Sequence, residues 1–213
     1  MNIFQKSKIA EEYDAYYLSD FGKQVDKIEK EMISGLLKNI PRGEMIDVGC
    51  GTGHWTEFFV DKGFKVKGID ASTAMLNIAR NKKINADFLQ ADSEDLPFED
   101  ESQHFVASIA MLEFVENREK VIDEIYRILK KGGRFILGAL NADSVPGRNK
   151  DEDEVFKHAR FWKKDEIDPM FSRFELLNMK QAVYIDENFS IRDRETDKTG
   201  IDPVFIAALF QKI

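Results

Sequence analysis

The stretch richest in chemical meaning is Asp47-Val48-Gly49-Cys50-Gly51-Thr52-Gly53. Three glycines at every second position let a backbone turn sharply and approach a ligand where any β-carbon would collide. A dinucleotide loop needs glycines at its first, third and sixth positions, and counting from Gly49 the sixth is His54. A loop that cradles phosphates ends in Lys-Ser or Lys-Thr, whereas this one continues His54-Trp55-Thr56. Asp47, just before the first glycine, would repel a pyrophosphate. The loop therefore suits a ligand that carries positive charge and a hydroxylated ribose. Asp70 in Gly68-Ile69-Asp70-Ala71-Ser72 is placed to accept from both ribose hydroxyls. Asp92 in Gln90-Ala91-Asp92-Ser93 is placed to accept from an exocyclic adenine amine. Each acid alone reads as a helix cap or turn residue, but three in this order line one rim.

That rim requires strands that end side by side. Met45-Ile46-Asp47-Val48, Lys65 to Ile69, Asp87 to Leu89, Phe105 to Met111 and Arg134 to Leu137 read as five strands. Helical stretches separate them: His54 to Asp61 ahead of Gly63, Ala74 to Arg80 behind an N-capping Ser72, and Arg118 to Leu129 closed by a Lys131-Gly132-Gly133 C-cap. Alternation of this kind implies parallel strands joined by right-handed crossovers, hence an α/β doubly wound sheet. Two helices precede it, Ser7 to Tyr17 and about Phe21 to Asn39. Beyond Leu140, Asn141 to Asp153 reads as a loop, residues 163 to 174 as a short helix, and Ala182 to Ile185 with Val204 to Phe210 as two late strands that pair as a hairpin at the sheet edge.

The 213 residues fit one elaborated domain, and 43% hydrophobic against 33% charged residues is a globular balance, not a disordered one. A formal charge of -8 disfavours generic nucleic-acid binding. The single cysteine, Cys50, excludes an intrachain disulfide and a thiolate-rich metal site, so no metal is expected and a reducing cytoplasm fits. The N-terminus lacks the apolar run of a signal peptide, and the most apolar window, Phe105 to Val115, falls far short of the ~20 residues of a membrane span.

The motifs above, together with Glu94-Asp95-Leu96-Pro97-Phe98 and Ile128-Leu129-Lys130-Lys131-Gly132-Gly133-Arg134, resemble the class I S-adenosylmethionine-dependent methyltransferases of the type 11 group over about residues 44 to 140. The resemblance implies a mainly parallel seven-stranded, Rossmann-like sheet with helices on both faces and an antiparallel last strand. It divides the single domain into an N-terminal helical lid (1–40), a cofactor-binding core (41–140) and a substrate-facing segment with the late strands (141–213). By position it assigns Asp47 and Gly49, Cys50, Gly51, Thr52 and Gly53 to the methionine end of S-adenosylmethionine and Asp70 to the ribose. Ala71 and Met75 fall to the adenine face, and Ala91, Asp92 and Ser93 to the adenine edge. The backbone near Ile109 and Ala110 is assigned to the amino group, and Tyr13 on the first helix to the lid over the cofactor. The sequence departs from the commoner pattern at His104 and Phe114.

The implied activity is methyl transfer to a small-molecule acceptor, leaving S-adenosylhomocysteine. The alternative is a non-catalytic, cofactor-binding regulatory protein. Methyl transfer from a sulfonium needs no obligatory triad, because the donor is already activated and catalysis rests on alignment and exclusion of water. Candidates for contact with the reacting groups are Tyr13 and Tyr17 through their ring faces, Glu113 at the end of the fourth strand, His158 as a base and Arg160 for an anionic substrate group.

Overall fold

The computed structural model describes residues 3–5, 7–192 and 200–213. Two helices lead the chain, α1 (Ser7–Leu18) and α2 (Asp20–Leu36), the second capped by Ser19, whose hydroxyl accepts from the Gly22 amide. Then follow β1 (Glu44–Val48), α3 (His54–Asp61), β2 (Lys65–Asp70), α4 (Thr73–Asn81), β3 (Asp87–Gln90), β4 (Gln103–Ile109), α5 (Arg118–Ile128) and β5 (Leu129–Leu140). Ser72 caps α4 and Asn117 caps α5, each side-chain oxygen accepting an orphan amide of the first turn. The chain closes with α6 (Val145–Arg148), α7 (Lys164–Met170), β6 (Phe174–Ile185), β7 (Ile191–Arg192) and β8 (Pro203–Lys212).

The strands form one sheet in the order β3-β2-β1-β4-β5-β8-β6-β7. β1 to β5 pair in parallel, while β8 runs antiparallel to both β5 and β6. The sheet has eight strands, not seven, the additional one being the two-residue β7 on the edge of β6. The direction of winding reverses between β1 and β4. In open α/β sheets such a reversal leaves a crevice at the carboxyl ends of the strands, which is where ligands bind.

Four expectations are corrected. Gly132 and Gly133 do not cap α5. The helix ends at Ile128 and Leu129 is already extended, so strand pairing with β4 takes up the backbone. The register then jumps from Gln103 opposite Leu129 to Phe105 opposite Arg134, and the glycines serve that irregularity, Gly132 at φ 76°. β4 stops at Ile109, because Ala110 turns to φ 49° while its amide donates to the Gly138 carbonyl. The segment after Leu140 is not a plain loop: Ser144 caps α6, and Pro146 lies in the first turn, where a missing amide costs little. The late hairpin is longer than expected and not confined to the edge, since β8 lies between β5 and β6.

Hydrophobic clusters pack on both faces. On one, Val25, Ile33 and Leu37 meet Trp55, Phe59 and Phe205. On the other, Ile125, Ile128, Phe135, Phe171 and Phe210 form the core. β8 is buried along nearly its whole length, which explains its unbroken apolar sequence Val204 to Phe210. Among the described residues no helix is long and apolar enough to cross a membrane.

Candidate functional site

A cavity opens at the carboxyl ends of β1, β2 and β4, where the winding reverses. Its floor is the glycine loop. The Gly49 and Cys50 amides both donate to the Ile69 carbonyl, at 2.7 and 3.0 Å, which locks the loop onto the end of β2. Gly49 has φ 75°, and a β-carbon there would lie 1.9 Å from Cγ of Met111, so the close approach of the next loop requires glycine. Gly51, at φ 53°, faces open space instead. The loop thus presents bare backbone to whatever fills the cavity.

Asp70 anchors the rim. Its two carboxylate oxygens accept from the Gly51 amide at 2.8 Å and the Ser72 amide at 2.7 Å, which fixes the side chain and leaves further lone pairs for a ligand diol. Burial raises its carboxyl above the usual range in spite of those two bonds. Asp47 is 1% exposed and is pushed up to about 7, chiefly by burial; the hydroxyl of Thr56, 2.6 Å away, works in the other direction and the nearby Asp70 adds to the rise. A buried acid in this state favours a cationic ligand group, which would restore its charge.

The N-terminal segment forms the roof. Ser72 donates to the Phe4 carbonyl at 2.6 Å and the Gln5 amide group to the Ala71 carbonyl at 2.8 Å. Farther along, Asp14 accepts from the Thr52 hydroxyl at 2.6 Å and pairs with Lys82 at 2.7 Å. Tyr13 lines the cavity and meets Phe4 edge-on, and Phe4 in turn meets Phe114 edge-on with ring centroids 4.9 Å apart. Tyr17 stacks flat on His54 at 3.7 Å, and Nε2 of His54 lies 2.7 Å from Asp26 of α2.

Of the residues singled out from the sequence, Tyr13, Asp47, Gly49, Cys50, Gly51, Asp70, Ala71, Met75, Ala91, Ser93, Ile109 and Ala110 all border this one cavity. Thr52 and Gly53 do not: the hydroxyl of Thr52 is turned to Asp14 and Lys82, and Gly53 caps α3 behind the loop. Asp92 is exposed and accepts from the Glu94 amide at 2.9 Å, so it acts as a turn residue beside the adenine edge expected for Ala91 and Ser93. Tyr17 does not line the cavity and reaches it through its neighbours His54 and Tyr13. Glu113 does not face the cleft. It lies 1% exposed in a single 3-10 turn, Leu112–Phe114, where one carboxyl oxygen accepts from the Leu140 amide at 2.8 Å. His158 and Arg160 are exposed and off the cavity. The buried neighbours Ala159, Phe161 and Trp162 anchor that segment and leave Arg160 to solvent. Sequence reading missed Phe4, Trp55, Met111 and Val115 as wall residues, and noticed His54 only as a departure from a dinucleotide loop. The helical spacing of Trp55 with Phe58 and Phe59 marks it as apolar but does not reveal what it faces.

Known proteins resolve the family. The methyltransferase domain family matches residues 46–137. A relative from Methanocaldococcus jannaschii, itself of uncharacterised function, is 33% identical over 219 residues and is aligned along 100% of both chains. The solved structure of an S-adenosylmethionine-dependent methyltransferase from Thermotoga maritima, described as a possible histamine N-methyltransferase, superposes with a TM-score of 0.76 at 26% identity, covering 97% of this chain and 98% of that one. This chain belongs to the class I S-adenosylmethionine-dependent methyltransferases, in the type 11 group. The methyltransferase is also 32% identical over 142 residues to the ubiquinone/menaquinone biosynthesis C-methyltransferase of Campylobacter jejuni, a match that spans only 60% of that enzyme's length.

Its cofactor is S-adenosylmethionine and the product S-adenosylhomocysteine. The residues of the methyltransferase fit that ligand: the Gly51 backbone faces open space, Asp70 keeps acceptor capacity at the rim, and a buried acid, Asp47, stands beside the loop.

Proposed function

We propose that this methyltransferase methylates a small-molecule acceptor in the aromatic end of the cavity. The observation that carries the reading is the enclosure of that end: Phe4 and Tyr13 of the N-terminal segment close over Met111, Phe114 and Val115, beside the glycine loop. A roofed apolar pocket admits a compact molecule and turns away a polymer, and the net charge of -8 argues in the same direction against nucleic acid.

S-adenosylmethionine supplies a methyl group on a positively charged sulfur. An acceptor atom with a free electron pair would take that methyl group, leaving the thioether of S-adenosylhomocysteine. The protein's part is to hold the two in line and keep water out. Asp70 would fix the ribose, Asp47 with Gly49, Cys50 and Gly51 the methionine end, and Ala71, Met75, Ala91 and Ser93 the adenine. The faces of Phe4 and Tyr13 favour positive charge nearby by ~0.5–2 kcal/mol. The single buried cysteine, Cys50, supports a cytoplasmic setting.

Calorimetry with S-adenosylmethionine, S-adenosylhomocysteine and NAD tests the cofactor, and transfer of labelled methyl from S-adenosylmethionine into the low-molecular-weight fraction of a cell extract tests the acceptor. The first two ligands should bind and NAD should not. Asp70→Ala should cost about 1.5–3 kcal/mol of cofactor affinity for each ribose hydrogen bond lost, with the fold retained. Label found only in protein or nucleic acid would refute the acceptor class, and binding without any transfer would favour the regulatory alternative.

A further inference from the structure

Among the described residues that line the cavity, Asp47 and Asp70 are acids and no lysine or arginine is present. The methionine end of the cofactor brings not only an ammonium but also a carboxylate, which cannot rest against acids alone. Of the described lining side chains, His54 is the one able to carry a compensating positive charge. We propose that His54, held by Asp26, receives the carboxylate of the cofactor's methionine moiety. The proposal rests on S-adenosylmethionine as the ligand.

The placement of His54 is suited to this. It is the first residue of the eight-residue α3, directly after the glycine loop, so the unpaired amides of the helix N-terminus lie beside its ring and favour an anion there. Its Nε2 is taken by Asp26 at 2.7 Å, which leaves Nδ1 as the ring nitrogen for a ligand. Asp26 is itself charged: burial alone would raise its carboxyl, but the bonds from His54 and from Lys30 at 2.8 Å hold it below the usual range. A carboxylate on one edge and the ring of Tyr17 stacked at 3.7 Å hold the imidazole in place with its other edge free to meet a ligand.

The other charged groups around the ring do not compete for the role. Lys30 on α2 is committed to Asp26, and Lys82, at the C-terminal end of α4, to Asp14 of α1. Glu29 on α2 is pushed up to about 8 by burial, so at neutral pH it is mostly uncharged and adds little repulsion to an incoming carboxylate. The arrangement also ties the roof to the ligand, because Tyr17 of α1 rests on the ring that would contact it.

The test compares two ligands that differ only at this end. S-adenosylhomocysteine carries the amino acid, while 5′-methylthioadenosine keeps the nucleoside and thioether and lacks it. In calorimetry, His54→Ala should weaken S-adenosylhomocysteine about ten- to a hundredfold and leave 5′-methylthioadenosine within about twofold of the parent, as expected for one charge-assisted hydrogen bond. Asp26→Asn, which keeps the shape, should give a smaller loss of the same selective kind. Equal weakening of both ligands, or no weakening of either, would overturn the proposal. If the parent bound neither ligand, the cofactor reading would fall first and the proposal with it, which separates the two failures.

Discussion

Three buried carboxyls stand out among the residues: Glu29 pushed up to about 8, and Asp47 and Glu113 each to about 7, in every case chiefly by burial. In the unfolded chain these groups titrate near their ordinary values of about 4. The folded form therefore holds their protons more tightly, and the stability they contribute is fully present below about pH 4 and is lost as pH rises through 7 to 8. The melting temperature of the ligand-free protein is expected to fall from about pH 5 to 8 and then level off, with Glu29→Gln making the decline shallower and ending it nearer pH 7. Thermal melts across that range measure it, and an unchanged slope in the variant would mean that Glu29 finds charge compensation when it ionises.

At the scale of elements, α1 and α2 differ in what holds them. α2 presses Val25, Met32, Ile33 and Leu36 onto the sheet. α1 is fastened mainly by polar ties, Asp14 to Thr52 and Lys82, with the ring contact of Tyr17 on His54 and, among its described side chains, only Ala10 deeply buried. An element held by few apolar contacts belongs to the low-stability end of a molecule, where lids are found. Deleting residues 1–18 should leave a folded chain with a melting temperature close to the parent's and greatly impaired turnover. Circular dichroism melts and methyl-transfer assays on the truncated protein decide between a lid and a structural helix, since unfolding on truncation would identify the latter. Hydrogen exchange at Tyr13 and Tyr17 adds an independent reading: protection should rise when the cofactor binds, and equal protection with and without it would rule out the lid.

Over the whole molecule, stability concentrates where β8 enters the sheet between β5 and β6. Phe210 is 2% exposed and stacks on Phe171 with centroids 4.7 Å apart, while Phe135 and Phe174 close the cluster. Phe210→Ala should cost about 3–5 kcal/mol, a large share of the ~5–15 kcal/mol that holds a typical domain folded. Urea denaturation measures the change. None of these four phenylalanines lines the cavity, so without denaturant and well below the melting point the variant should still bind S-adenosylhomocysteine.

The parts of the molecule set by neighbours in the chain were legible in the sequence. The glycine loop, the start of α3 at His54, the Ser72 cap and the alternation of strands and helices all follow from local periodicity and backbone conformation. The side of the sheet edge on which the ligand groups gather followed too, because successive parallel strands end at one rim. Contacts between distant residues were decided only by the tertiary structure. Asp26 meets His54 across 28 positions, Asp14 meets Thr52 across 38, and Phe4 meets Ser72 across 68. No local pattern records such pairings, so Phe4 showed no sign of being a wall residue and Glu113 no sign of being buried. Asp92 has the same residue type and strand-end position as Asp70, yet the Glu94 amide holds it outward in its own turn. The choice between those two fates lies in which backbone amides fold back within reach of the carboxylate, and only the assembled chain fixes that.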